Sequence, residues 1–224
     1  MKRVLYLLLL FTAFYSQAQA DKAEALRLEK QVVNMAKQIG DPSIVKQGFY
    51  RIVAIEGENS TYKDSLAYVY FSARQYGPSF LMADEVIKRD PDHLEMLEIK
   101  AASLESLGAI DKSAEAYDQL FARSNNNFHG YNLAKLQFTL KKYEEAYKTI
   151  QEVEKLNDTG KYQITFSINA NHVQQVELLA AIPYLKGLIE EELQKKPEAK
   201  ISYEKALKIQ PDFVFAKERL EGLQ

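Results

Sequence analysis

The chain has 224 residues, 46% apolar and 27% charged, a composition typical of a folded globular protein of one or two domains. Its net charge of −2 argues against a basic nucleic-acid-binding domain. It has no cysteine, which excludes disulfides, thiolate catalysis and cysteine-based zinc sites, and its three histidines leave little for a metal centre.

Residues 1–20 have the order of a secretory signal peptide. Lys2 and Arg3 precede the apolar run 4–15, and a polar stretch ends at Ala18-Gln19-Ala20 before Asp21 opens a charged segment. The apolar run is shorter than the ~20 residues that a membrane-spanning helix needs. We therefore expect a protein exported to the periplasm or secreted, with a mature domain of residues 21–224 and no integral membrane span after cleavage. The alternative is an uncleaved N-terminal anchor.

Amphipathic helix pairs are predicted after this segment. Runs such as 94–107 and 143–156 carry apolar residues at three- and four-residue spacing, and Gly40-Asp41-Pro42 and Gly77-Pro78 are turn signals. The pattern recurs at three successive steps of about 34 residues and then at one longer step. The units begin near Leu26, Ser60, Leu94, Asn127 and Ala180.

Small side chains recur at two positions of each unit, where two antiparallel helices must cross closely. Larger apolar side chains follow where the space between the helices has to be filled. Position 8 is Val33, Ala67, Ala101, Ala134 and Gly187, and position 20 is Val45, Ser79, Ser113, Ala146 and Ala199.

The last unit resembles the tetratricopeptide repeat, a helix-turn-helix unit of about 34 residues. Its characteristic residues lie at positions 8, 20, 24, 27 and 32, as Gly187, Ala199, Tyr203, Ala206 and Pro211. The resemblance implies an all-α fold, a right-handed superhelical solenoid of about five helix-turn-helix units. The helix-stopping proline of position 32 is replaced in three units, by Gly57, Asn125 and Asp158.

Two further elements flank the last unit. Residues 161–178, from Lys161 to Leu178, alternate apolar and polar side chains around the turn cluster Asn169-Ala170-Asn171, which predicts a β-hairpin insertion. Its apolar face either packs on the chain's own helices, or that face or the free edge meets a partner. Residues 213–224 are predicted to form a C-terminal capping helix, which solenoids need to cover their last repeat.

The chain shows no nucleophile motif, phosphate-binding loop or dinucleotide-binding glycine pattern. His93, His129 and His172 lack partners at a distinctive metal-ligand spacing. The sequence therefore predicts no catalytic, cofactor-binding or metal-binding residues and no cofactor, and an unrecognised hydrolase is the least favoured function.

In tetratricopeptide proteins the first helix of each unit usually lines a concave groove that holds a peptide or protein segment. The resemblance thus implies that the groove lies at positions 5, 9 and 12, which share one helix face. We predict a non-catalytic scaffold for protein–protein interaction, with a glycan- or polymer-binding module of the cell envelope as the alternative. The predicted groove residues are Tyr68, Phe71, Tyr131, Lys135, Phe138 and Tyr184, with Tyr131 and Phe138 as anchors. For any one aromatic, packing against the neighbouring repeat is an equal alternative.

Lys30 and Asn34 resemble half of the carboxylate clamp by which some family members hold chaperone C-termini. The neighbouring helices would complete that clamp with an Asn and with basic residues. Here they offer Asp64, Glu95 and Glu98, and Glu95 and Glu98 would repel a carboxylate. We therefore expect no carboxylate clamp.

Overall fold

A computed structural model describes residues 2–156 and 162–223. Some of the predictions above involve residues outside these ranges, namely Met1, Asp158, Lys161 and Gln224. The described residues form eleven helices and one two-stranded antiparallel sheet. The elements are α1 (Lys2–Ile39), α2 (Pro42–Glu56), α3 (Tyr62–Ser72), α4 (Tyr76–Arg89), α5 (Leu94–Ser106), α6 (Ile110–Ser124), α7 (Asn127–Thr139), α8 (Tyr143–Val153), β1 (Gln163–Asn169), β2 (His172–Glu177), α9 (Leu178–Glu192), α10 (Lys196–Ile209) and α11 (Val214–Gly222).

The predicted all-α fold of helix-turn-helix units is confirmed, together with the hairpin insertion and the C-terminal helix. The helices form five consecutive pairs, from α1–α2 to α9–α10, and α11 packs on α10. The chain divides into two compact units, Met1–Ile99 and Lys100–Gln224. Each unit contains its own buried apolar clusters.

The turn inside each helix pair has the same left-handed backbone conformation. Positive φ angles occur at five residues with the spacing of the repeat: Gly40 (72°), Arg74 (56°), Gly108 (76°), Lys141 (60°) and Gln194 (60°). Glycine adopts this conformation freely, whereas a side chain makes it costly. The glycines at residues 40 and 108 therefore mark their turns in the sequence, while the other three turns carry no such signal. Gly77 and Pro78 lie within the first turn of α4.

The small residues at positions 8 and 20 are all buried in the described structure. In two pairs the position-20 serine also bonds across the crossing: Ser79 Oγ donates to the Ala67 carbonyl at 3.0 Å, and Ser113 Oγ donates to the Ala101 carbonyl at 2.8 Å. These hydrogen bonds satisfy a buried hydroxyl at the point where the two backbones are closest.

Gly187 lies where α9 and α10 cross. A Cβ atom on this residue would stand 2.5 Å from Cε1 of Tyr203, whose ring is fully buried. The glycine therefore allows Tyr203 to fill the space between the helices, as the spacing of positions 8 and 24 predicts.

Candidate functional site

Tyr68 is the most accessible of the predicted groove aromatics. It lies on α3, four residues after Asp64 and three before Phe71, and its side chain is 46% exposed. Phe71 is half-buried because its ring packs edge-on against Tyr76 at 5.7 Å. Tyr68 thus offers an open aromatic surface that Phe71 does not.

Carboxylates surround Tyr68. Partial burial raises the pKa of its hydroxyl, and the charges of Glu95, Glu98 and Asp64 raise it further. These three side chains belong to α3 and α5, within the first compact unit. These carboxylates therefore oppose ionisation of the phenol and favour a cation near the ring.

His93 lies between two of these carboxylates and hydrogen-bonds one of them, Asp64. Its Nε2 lies 3.2 Å from Asp64 Oδ2, and its Nδ1 lies 3.1 Å from Glu95 Oε2. Arg89 approaches the other oxygen of Asp64 at 3.9 Å. The sequence assigns no role to His93, and the structure shows that it connects α3 to the start of α5 through Asp64.

A cleft with a volume of about 580 Å³ adjoins Tyr68. It runs between the start of α2 and the end of α3, so an extended segment lying across Tyr68 has room to continue. Its lining residues are Pro42, Ser43, Lys46, Tyr68, Val69, Ser72, Ala73 and Gln75.

Two predicted groove aromatics of the second unit are buried, so for these two the structure matches the alternative of packing within the chain. Tyr131 is 4% exposed and Tyr184 is 8% exposed, and both belong to the main apolar cluster of that unit. Burial raises the pKa of both hydroxyls. The ring of Tyr184 lies 5.6 Å from Phe166 of β1 and 4.8 Å from Phe213, which directly precedes α11. Tyr184 is therefore buried by the insertion and the cap, the two elements that flank its helix pair.

Lys135 and Phe138 lie on α7 and are engaged within the second unit. Lys135 Nζ donates to Glu105 Oε1 at 2.7 Å and to Asn132 Oδ1 at 3.1 Å. The ring of Phe138 packs against Tyr143 at 5.6 Å. The structure brings Tyr131, Lys135 and Phe138 onto one helix, but Tyr131 offers almost no surface to a partner.

The hairpin insertion packs on the chain's own helices. Val176 is fully buried, and Ile164 and Phe166 pack against the same apolar cluster. The ring of Tyr162, just before β1, stacks on Phe128 of α7 at 4.5 Å. The chain's own helices therefore cover most of the apolar face of the hairpin, while Ile168 at its tip remains exposed.

One edge of the hairpin is closed by the loop before α11. Gln210 accepts from the Glu177 amide at 3.0 Å and donates to the Gln175 carbonyl at 3.1 Å. Gln174 donates to the Asp212 carbonyl at 2.8 Å and accepts from the Val214 amide at 3.1 Å. The β2 edge is thus capped by side-chain amides, which stand where a further strand would bond.

The sequence interpretation missed an acidic cavity between α6, α7 and α8, with a volume of about 310 Å³. The spacing of Asp111, Glu115 and Asp118 along one face of α6 is the signal that indicates it. The lining residues are Asp111, Ala114, Glu115, Asp118, Leu133, Gln137, Leu140, Lys142 and Glu145.

Within residues 2–156 and 162–223, no group of three or more His, Asp or Glu side chains is arranged to hold a metal ion. In the same part of the chain, no helix combines the length and the apolar character needed to cross a membrane.

The sequence profile of the tetratricopeptide repeat matches residues 131–159 and 182–213. These segments cover most of α7–α8 and α9–α10, with the hairpin insertion between them. These two helix pairs therefore resemble the tetratricopeptide repeat in sequence as well as in their helix-turn-helix structure. None of the curated protein sequences matches the chain.

Solved structures of tetratricopeptide-repeat proteins resemble this chain over more than the two matched segments. YrrB, described as a tetratricopeptide-repeat protein with an unusual peptide-binding site, aligns with a TM-score of 0.69 at 12% identity over 92% of this chain and 97% of its own. MamA from Desulfovibrio magneticus RS-1 aligns with a TM-score of 0.64 at 12% identity over 85% and 97% of the two chains. Another MamA structure has a TM-score of 0.61 at 17% identity over 73% and 79%. At these identities the likeness shows the fold alone: the chain has the fold of tetratricopeptide-repeat proteins.

Proposed function

We propose that the chain is a non-catalytic scaffold that binds a basic peptide or protein segment on the face of α3 and α5 around Tyr68. The observation that carries this proposal is the exposed ring of Tyr68 among Asp64, Glu95 and Glu98. An aromatic face beside carboxylates attracts a Lys or Arg side chain both through the ring quadrupole and through charge.

The burial of the other predicted aromatics supports the choice of Tyr68 for the proposed site. The anchors expected from the sequence were Tyr131 and Phe138, yet Tyr131 is buried and Phe138 packs against Tyr143. An anchor residue has to be accessible before the partner arrives, and Tyr68 meets that condition. The glycan-binding alternative depended on a row of exposed aromatics, so the burial of Tyr131 and Tyr184 disfavours it.

The comparisons support a binding role in general. YrrB has the same fold and is described as having a peptide-binding site. The chemistry of the segment that this chain would bind is inferred from the charges around Tyr68, which favour a cation and disfavour a carboxylate.

We also propose that the scaffold acts outside the cytoplasm, in the cell envelope or beyond it. The support is the signal-peptide pattern of residues 1–20. Mass spectrometry of the chain from fractionated cells should find Asp21 at the N-terminus in the exported fraction. An intact N-terminus in the cytoplasm would contradict the export proposal and leave the binding proposal standing.

The binding proposal is tested with an array of extended peptides that carry a central Lys or Arg, beside matched members with Glu at the same place. We expect the full chain to bind the peptides that carry Lys or Arg. The Tyr68→Ala variant should bind them at least about 30-fold more weakly, which is the effect of removing one hot-spot residue. Moderate salt should weaken the interaction because exposed charges contribute to it.

Tyr50→Ala is the matched control, because Tyr50 on α2 is 44% exposed, close to the value for Tyr68. It should bind the basic peptides as the parent chain does. Equal retention of the Glu-containing peptides, or an unchanged affinity in Tyr68→Ala, would overturn the proposed site.

A further inference from the structure

Helix α1 carries a stripe of four exposed apolar side chains, Leu28, Val32, Met35 and Ile39, which we call the α1 stripe. Their exposed fractions range from 40% to 75%. They follow one another at alternating steps of four and three positions, so all four lie along one side of the helix. This is the spacing of the apolar seam of a helix pair that packs knobs into holes.

The α1 stripe is distinct from the side of α1 that packs within the unit. Val33 and Ala36 are buried and join the core formed with α2. Helix α1 is therefore apolar on two adjacent sides. The described residues cover the side of Val33 and Ala36 and leave the α1 stripe exposed. A solenoid normally presents a polar surface at its ends.

The last helix follows that rule and α1 departs from it. Helix α11 buries Ala216 and exposes the charged side chains of Lys217, Glu218 and Glu221. Exposure of four large apolar side chains to water is unfavourable. We therefore expect another surface to pack against the α1 stripe.

Three basic residues of α1 near the stripe have partners within the chain. Arg27 pairs with Glu24 at 2.6 Å, Lys30 lies 5.5 Å from the ring centre of Tyr62, and Lys37 lies 5.3 Å from that of Phe49. Arg27 thus pairs along the surface of α1 itself, whereas Lys30 and Lys37 contact aromatic rings of α3 and α2. A helix that lies on a membrane instead directs Lys and Arg to the lipid headgroups beside its apolar face.

The charges beside the stripe suit a second copy of the same chain. Around a two-fold axis each residue comes close to its own counterpart, so a charge near the axis would repel itself. The polar residues beside the middle of the stripe are Gln31 and Gln38, which are neutral and exposed. The charges that flank the stripe, Glu24 and Glu29, lie toward one end, and both are paired, with Arg27 at 2.6 Å and with Arg51 at 3.4 Å.

The same charges distinguish the two possible directions of pairing. A parallel pair would place Glu24 of one copy beside Glu29 of the other, because these positions flank the seam on opposite sides. An antiparallel pair brings Gln31 beside Gln38 and leaves the like charges apart. Charge complementarity therefore favours the antiparallel arrangement.

We infer that the α1 stripe is a self-association surface through which two copies of this chain pack their α1 helices antiparallel about a two-fold axis. The seam of Leu28 to Ile39 is about 16 Å long at the rise of an α-helix. So short a contact makes a small interface, and the dimer therefore dissociates on dilution.

The test is sedimentation equilibrium of the purified chain over a concentration series, with the parent and the double variant Met35→Glu/Ile39→Glu. We expect the parent to dimerise and the variant to dimerise at least about 100-fold more weakly, because pairing would bury unpaired carboxylates. Both side chains are mostly exposed, so circular dichroism should show the variant folded like the parent. A parent that stays monomeric, or a variant that dimerises equally, would overturn the inference.

Ile201→Glu is the matched control, because Ile201 on α10 and Met35 are both 65% exposed. It should dimerise as the parent does, and an equal loss in this control would show that added charge alone prevents association. Single-cysteine variants then test the direction, since the chain has no cysteine of its own. A short thiol cross-linker should join Val32→Cys, near the axis, and should not join Leu28→Cys; the reverse result overturns the antiparallel arrangement.

Flotation with vesicles of anionic lipid tests the competing explanation, that the α1 stripe binds a membrane. Binding to vesicles that Met35→Glu/Ile39→Glu abolishes, without dimerisation of the parent, would assign the stripe to a membrane and refute the inference. The peptide array separates this inference from the proposed function, because the stripe variant should still bind basic peptides and Tyr68→Ala should still dimerise.

Discussion

The helix pairs α3–α4 and α9–α10 each carry a tyrosine that the sequence predicts for the groove, at position 9 in the first pair and at position 5 in the last, yet only one of the two is accessible. Tyr68 on α3 is 46% exposed, and Tyr184 on α9 is 8% exposed. The difference comes from elements outside the repeat, because Phe166 of the insertion and Phe213 before the cap lie against Tyr184. Two tyrosines predicted for the same surface can therefore have different roles, because the elements that flank each repeat decide which of them stays accessible.

Deleting residues 213–224 should have the largest effect, because it exposes the buried face of the last pair. Phe213 is fully buried and lies 5.0 Å from Phe166 and 4.8 Å from Tyr184, ring centre to ring centre. We expect the melting temperature to fall by at least ~10 °C and the chain to aggregate. Differential scanning calorimetry and light scattering measure both, and a soluble truncation of unchanged stability would show that α11 is not a cap.

Truncating each of the two tyrosines should lower the free energy of unfolding by different amounts. Tyr184→Ala should lower the free energy of unfolding by about 3 kcal/mol, because it leaves a cavity among Phe166, Phe213 and Tyr203. Tyr68→Ala should lower it by less than about 1 kcal/mol, since the side chain is half exposed. Urea denaturation followed by circular dichroism measures both, and equal losses would remove the distinction between the two pairs.

Adding one methyl group should have opposite effects in the same two pairs. Gly187→Ala places a Cβ 2.5 Å from the buried ring of Tyr203 and should destabilise the chain by about 1–3 kcal/mol. The matched change Gly77→Ala, in the first turn of α4, meets no atom within 4 Å and should stabilise slightly, by roughly 0.5 kcal/mol. Thermal melts of the two variants are sufficient, and a tolerated Gly187→Ala would show that α9 and α10 are not closely packed there.

Much of the fold could be predicted because its signals are local. The small residues at positions 8 and 20 indicate where helices cross, and all of them are buried. The alternation around Ile164 and Phe166 predicted the hairpin. The turns at Arg74, Lys141 and Gln194 carry no glycine, and the first of them was placed instead at Gly77-Pro78.

The candidate site could be predicted in part. The spacing of Asp64, Tyr68 and Phe71 placed them on one side of α3, and the carboxylates Glu95 and Glu98 already argued against an anionic partner. The accessible surface of Tyr131 and Tyr184 was overestimated, because helical periodicity tells which side of a helix a residue occupies and not what lies against that side. The contribution of His93, which lies between Asp64 and Glu95, depends on a contact between two helices.

By itself the sequence determined the helical repeat, its close crossings, the inserted hairpin and the terminal helix, since each follows from spacing within one segment. The tertiary structure alone decided which groove residues stay open and which side of α1 is left uncovered. The physical reason is that burial depends on segments that meet from separate parts of the chain. Phe166 precedes α9 and Phe213 follows α10, and together they convert Tyr184 from an expected binding residue into part of the core.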